Sequence, residues 1–133
     1  MLYMLDTNIC EYIIKNRPQS IKNKLKEIEQ NHTIGLSSIV VSELIYGVRK
    51  KANQQLENIV SLFVANFKIY DFDQNSAYEY GEIRAVLEKN GMIIGSNDLF
   101  IVSHAKTLGA ILVTNNEKEF SRVHGLKIEN WVK

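Results

Sequence analysis

The sequence predicts an α/β sandwich around a mainly parallel sheet, and three observations carry that prediction. Two short runs, Leu2 to Leu5 and Ala110 to Val113, are apolar at every position, the pattern of a strand covered on both faces. Each run ends abruptly in polar residues, Asp6-Thr7-Asn8 and Thr114-Asn115-Asn116. Between and around them, segments with helical spacing alternate with short strand candidates, the order that builds parallel sheets.

Taken along the chain, Leu2 to Leu5 is the first strand. Thr7 or Asn8 can cap a helix over about Ile9 to Lys15, which carries Ile13 and Ile14. Pro18, the sole proline, suits the first turn of a second helix with Ile21, Leu25 and Ile28 at helical spacing. Thr33 to Leu36 reads as a strand, and Ser37-Ser38 as the cap of a helix from Ile39 to Val48. Gln54 to Asn66 predicts another helix, with Leu56, Ile59, Val60, Phe63 and Val64 as its buried stripe. Lys68 to Phe72 alternates like a strand. Ser76 to Lys89 predicts a helix with Tyr80, Ile83, Val86 and Leu87 inside, ended by Asn90-Gly91. Ser96 or Asn97 starts a helix reaching Leu108, which Gly109 stops. Ala110 to Val113 and Lys127 to Glu129 are the last strands.

The totals narrow the class. The chain has 133 residues, 45% hydrophobic and 23% charged, ordinary values for one folded domain spanning 1–133. No linker, repeat or low-complexity tract interrupts it. Cys10 is the single cysteine, so no intramolecular disulfide forms; a small core residue in a reducing compartment is expected. No apolar run approaches the roughly 20 residues of a membrane span, and the apolar start is too short for a signal peptide. The cytoplasm and no membrane association are the expectations. A net charge of +1 argues against coating nucleic acid by bulk charge, although it permits an enzyme that touches a few phosphates.

The chemistry concentrates in carboxylates. In open parallel sheets ligands collect beyond the carboxyl ends of the strands, and Asp6 stands at one such end. Glu43 lies among the apolar residues of its helix, where a carboxylate must be paired, bound to a cation or turned to solvent. Asp98 stands at a helix start. Each has an ordinary structural explanation: Asp6 as a cap, Glu43 on a solvated strip, Asp98 as a dipole-friendly helix start worth under ~1 kcal/mol. Gathered at one edge, they repel one another and call for a hard cation, Mg²⁺ or Mn²⁺. Such an ion suits phosphodiester hydrolysis. His32, His104 and His124 are scattered, and His104 reads as a packed residue. No dinucleotide fingerprint or phosphate loop occurs.

Four segments carry a family resemblance. Met4-Leu5-Asp6-Thr7-Asn8 resembles the opening strand of PIN-domain nucleases, and Ser37-Ser38-Ile39-Val40-Val41-Ser42-Glu43-Leu44 their second motif. Ile94-Gly95-Ser96-Asn97-Asp98-Leu99-Phe100-Ile101-Val102, continuing to His104-Ala105, resembles the third; Leu112-Val113-Thr114-Asn115-Asn116 with Glu119-Phe120 resembles the last. In order over essentially the whole chain, and with the closing Trp131, they resemble the VapC toxins of bacterial type II toxin–antitoxin systems. The resemblance implies a PIN-like three-layer α/β/α fold with about five strands. It also implies an endoribonuclease dependent on Mg²⁺ or Mn²⁺, with tRNA as substrate and the anticodon loop of initiator tRNA as leading target.

By that resemblance Asp6, Glu43 and Asp98 match the recurrent acids and metal ligands. Asn116 stands where many PIN domains have a fourth acid; either Glu119 one turn later supplies that carboxylate or Asn116 serves as a neutral ligand or water-holder, which leaves one or two metal ions open. Thr7, Asn8, Ser38 and Asn116 are expected to support the carboxylates. Arg49, Lys50 and Arg84 are RNA-binding candidates, with Lys15, Arg17 and Lys51 beside them. A homodimer is expected, inhibited by a VapB-type antitoxin that also makes the contacts to operator DNA. Two rivals are a phosphate-accepting domain using Asp6 and a non-catalytic binding module on the same fold.

Overall fold

The computed structural model describes residues 1–132. In chain order the elements are β1 (Leu2–Leu5), α1 (Thr7–Ile14), α2 (Gln19–Glu29), β2 (Thr33–Ser37), α3 (Ser38–Lys51), α4 (Gln54–Ala65), β3 (Lys68–Tyr70), α5 (Gln74–Lys89), α6 (Ser96–Thr107), β4 (Ile111–Val113), α7 (Glu117–Phe120) and β5 (Lys127–Glu129). The five strands form one sheet in the order β3-β2-β1-β4-β5, and every pairing is parallel. The sheet is thus wholly parallel where the sequence predicted it mainly so.

The strand order reverses beside β1: the chain steps outward through β2 and β3, then returns to β4 on the other side. Right-handed crossovers then place α1 to α4 against one face and α5 and α6 against the other, giving the three layers. Covered on both sides, β1 and β4 are apolar throughout and β2 is apolar between its polar ends. Met4, Leu5, Leu36, Leu112 and Val113 are at most 1% exposed, and Ile9, Val40, Val102 and Phe120 join them from the helices. Gly35 admits the close approach of β3, since a Cβ there would lie 2.5 Å from the Tyr70 ring and 3.1 Å from the Lys68 carbonyl.

Several predicted boundaries shift for identifiable reasons. The cap of α1 is the side chain of Asp6, which accepts from the Ile9 N–H at 2.9 Å, so the helix begins at Thr7 and neither Thr7 nor Asn8 caps it. Asp73 caps α5 through the Ser76 N–H at 3.0 Å, starting that helix two residues earlier than predicted. Pro18 sits just ahead of α2. The short α7 was not foreseen as a helix. Two residues predicted inside lie outside: Ile59 on α4 is 45% exposed and Val86 on α5 is 46% exposed. Among the described residues, no helix is long and apolar enough to cross a membrane. Cys10 is buried with a free thiol.

His104 packs into this core at 1% exposure. Its Nδ1 lies 2.7 Å from the Ser37 hydroxyl, which accepts from the Ile39 N–H at 3.1 Å, so the ring fastens α6 to the start of α3. Phe72 meets its face edge-on. Burial holds the imidazole below its usual range, while Asp73 and Asp71 oppose that shift only in part. A group kept neutral in the fold takes up protons more readily when unfolded, so the His104 contribution to stability rises with pH through the window below about 6.5 and levels off above it, opposite in sign to that of a buried acid. His104→Gln should flatten that slope in urea titrations between pH 5 and 7.5; a variant with the wild-type slope would place the dependence elsewhere.

Candidate active site

The topology brings four acids together beyond the carboxyl ends of the strands. Asp6 follows β1 directly, at the point where the strand order reverses. Glu43 comes from α3, which begins where β2 stops, Asp98 from the first turn of α6, and Glu119 from α7 after β4. Asp6 is 4% exposed, while Glu43, Asp98 and Glu119 are half-buried.

Their electrostatics register the gathering. Burial raises the Asp6 carboxyl to about 6, and Asp98 and Glu43 push it the same way; the Thr114 hydroxyl and the Ile9 N–H partly counter this. Burial also raises Asp98, helped by Glu119 and Glu43. An edge where burial and neighbouring acids disfavour the charge of Asp6 and Asp98 is suited to a cation.

Neutral donors hold the long side chains. The Thr7 hydroxyl donates to Glu43 Oε1 at 2.5 Å, and the Asn97 amide donates to Glu43 Oε2 at 3.1 Å. The Asn116 amide donates to Glu119 Oε2. Thr114 is fully buried; its hydroxyl bonds Asp6 and accepts from the Asn116 N–H at 2.9 Å.

The whole arrangement follows the order and placement of a known fold. The PIN-domain family pattern matches residues 3–126.

The chain belongs to the PIN-domain family.

Within it, this PIN domain is 49% identical over 134 residues to Ribonuclease VapC2 of Rickettsia felis, covering 100% of both chains. It is 39% identical over 130 residues to the tRNA(fMet)-specific endonuclease VapC of Shigella flexneri, covering 97% of each. Among solved structures, VapBC2 from Rickettsia felis bound to a DNA fragment from its promoter superposes with a TM-score of 0.93 at 48% identity. That match covers 98% of this chain and 99% of the other. The chain is therefore a VapC-type ribonuclease by family.

On this PIN domain the predicted residues separate into groups. Asp6, Glu43, Asp98 and Glu119 converge, with Thr7 and Asn116 bonded to two of them. Asn8 is exposed on α1. Ser38 departs from its expected role: its hydroxyl accepts from the Phe72 N–H at 3.1 Å, tying the chain after β3 to α3 and reaching no carboxylate. Lys50 lines a groove of about 440 Å³ whose wall includes Glu43, with Lys15 and Lys51. Arg49 is paired to Glu57 at 2.8 Å. Arg84 bonds the Tyr80 hydroxyl at 2.9 Å and Glu88 at 3.3 Å, beside a cavity of about 210 Å³ that Ser96 also lines.

Sequence reasoning missed two members of the site. Thr114 stood only as a polar strand end and a member of the last motif, and Asn97 as a helix start and a member of the third, neither with a role at the site. An Asn adjoining Asp98 in the third motif was the available signal, but nothing in the residue order shows that it reaches Glu43.

The donor set has the chemistry for a hard divalent cation, since it offers carboxylate oxygens and no thiolate or imidazole. Asp6 and Asp98, raised by burial and by one another's neighbours, are the pair such an ion would relieve. Among the described residues no three His, Cys, Asp or Glu stand as a ready ligand group.

Proposed function

We propose that this chain is the toxin of a type II toxin–antitoxin pair, an endoribonuclease dependent on Mg²⁺ or Mn²⁺ that hydrolyses RNA phosphodiester bonds. The observation that carries the reading is the convergence of Asp6, Glu43, Asp98 and Glu119 at the switch point of the sheet. tRNA is the substrate, and the initiator tRNA anticodon loop the leading target, supported by the name of the Shigella relative.

Asp6 and Asp98 would hold the ion. Glu43 orients the attacking water and takes up its proton, while Glu119 with Asn116 closes the far side. The ion, when bound, supplies Lewis-acid stabilisation of charge on the phosphate. Thr7 keeps Glu43 in place, and Lys50 with Lys15 and Lys51 provides positive charge near the acids for the RNA backbone. Arg49 and Arg84, occupied by Glu57 and by Tyr80 and Glu88, must exchange partners to reach a phosphate.

Residues 1–133 act as one domain, in the cytoplasm where tRNA resides. The partner is a VapB-type antitoxin, which itself makes the contacts to operator DNA. Its segment has a suitable seat in the groove of about 440 Å³ between α1, α3 and α4, floored by Leu44, Leu56 and Val60 and walled in part by Glu43. The exposed Tyr46 of α3 adds to its wall. A homodimer completes the reading, and elution as a monomer at micromolar concentration would count against it.

The test is cleavage of total bacterial RNA by the purified chain with Mn²⁺ or Mg²⁺ against EDTA. Cutting at one or a few sites with 5′-phosphate and 3′-hydroxyl ends is expected, abolished by the chelator. Products ending in 2′,3′-cyclic phosphates would refute water attack.

A further inference from the structure

Glu43 is the acid whose orientation most needs explaining, because it rides mid-helix on a side chain with three rotatable torsions. Both of its oxygens are engaged by uncharged donors: the Thr7 hydroxyl at Oε1, 2.5 Å, and the Asn97 amide at Oε2, 3.1 Å. Thr7 directly follows Asp6, and Asn97 directly precedes Asp98. The two segments that deliver the short acids therefore also hold the long one.

Asn97 has no comparable task in the helix. It is the second residue of α6, after Gly95 at the cap, where the backbone N–H needs no side-chain amide and an Asp serves as well or better. Only the amide nitrogen can face a carboxylate, since the amide oxygen would repel it. Each Glu43 oxygen keeps one lone pair after its single bond, so the clamp fixes the carboxylate without exhausting it.

We propose that Asn97 is a positioning residue of the nuclease, acting through Glu43: with Thr7 it fixes the carboxylate beside Asp6 and Asp98 and leaves a lone pair on each oxygen for the attacking water. The inference rests on the nuclease reading above and adds a residue to it. Neighbouring acids would otherwise drive the flexible Glu43 outward; the two donors oppose that repulsion.

The test is a double-mutant cycle with Asn97→Asp and Glu43→Gln. Asp is isosteric and suits the first turn of a helix, so Asn97→Asp should unfold at the wild-type temperature or above it. It loses the donor and sets a charge against Glu43. The expected result is a fall in kcat of about 10- to 100-fold, with KM for RNA within about twofold. On the Glu43→Gln background the same substitution should cost less than about threefold, because residues acting as a unit are non-additive. An equal loss on both backgrounds, a change confined to KM, or retained wild-type kcat would overturn the proposal. A second readout is independent of cleavage. In metal-free protein labelled with ¹⁵N, the Asn97 side-chain amide resonances should move on Glu43→Gln; if they stay in place, the contact is absent and the proposal fails. A wild-type chain that cuts no RNA would instead strike the nuclease reading, which the amide resonances leave separately tested.

Discussion

Asp6→Asn should abolish RNA cleavage while leaving the fold at least as stable as wild type. On the proposed role of Asp6 as a ligand of the ion, its loss would forfeit several kcal/mol of charge stabilisation at the phosphate, about 10³-fold or more in rate. Asn preserves the cap on α1, because its side-chain oxygen can accept from the Ile9 N–H as Asp6 does. The stability side has a definite sign. Burial raises the Asp6 carboxyl to about 6 in the fold, above the ordinary value near 3.9 of an unfolded chain. An acid raised on folding is a penalty that grows as pH climbs from about 4 to about 6 and persists above it, here roughly 1–3 kcal/mol. Asn97 and Thr7 are untouched, so Glu43 remains in place. Thermal melts of metal-free protein across pH 4 to 8 should show the variant gaining stability relative to wild type as pH climbs through that window. Added Mn²⁺ should raise the melting temperature of wild type more than that of Asp6→Asn. A variant that cleaves at even a tenth of the wild-type rate would remove Asp6 from the catalytic set.

Phe120→Ala carries the largest expected stability cost, about 3–5 kcal/mol, a large part of the 5–15 kcal/mol available to a domain. Phe120 is 1% exposed and among the largest fully buried side chains, yet it belongs to a helix of four residues, too short to stand alone. Its ring anchors α7 to the core, and α7 carries Glu119 and begins after Asn116. The substitution should therefore lower the urea midpoint sharply. It should also reduce cleavage in the fraction that stays folded, whereas Phe120→Leu, which keeps most of the volume, should cost less than about 1.5 kcal/mol. A loss under about 1 kcal/mol for the Ala variant would show that α7 is held by its backbone contacts alone.

The two continuous apolar runs have a pattern dictated by burial on both faces: β1 matches its predicted limits residue for residue, and the runs ending at Asp6 and Thr114 sit side by side as β1 and β4. The edge strand β5 also matches its predicted limits, although it is only partly covered. Where a face is only half covered, pattern reading overreached. Ile59 on α4 and Val86 on α5 have helical spacing suited to a core but lie exposed, since hydrophobicity records no destination. The groove beside α4 and the outer side of α5 leave those residues outside. Caps moved for a similar reason, because Asp6 and Asp73 win the N–H groups that nearer Thr, Asn and Ser residues could also have taken.

By itself the sequence determined the alternation of strands and helices, the polar ends of β1 and β4, and the presence of Asp6, Glu43, Asp98 and Glu119 in motifs spaced as in PIN domains. Those are properties of local pattern and residue type, which chain order expresses directly. Only the tertiary structure decided that the sheet order reverses at β1. It also decided that Thr114 bonds Asp6, that Ser38 serves the chain after β3, and that Glu43 is held from two sides by Thr7 and Asn97. Each of these joins residues from different elements, Thr7 and Glu43 by 36 positions and Asn97 and Glu43 by 54. Contacts at such separations are fixed by how the crossovers pack the helices against the sheet, and no local periodicity records them.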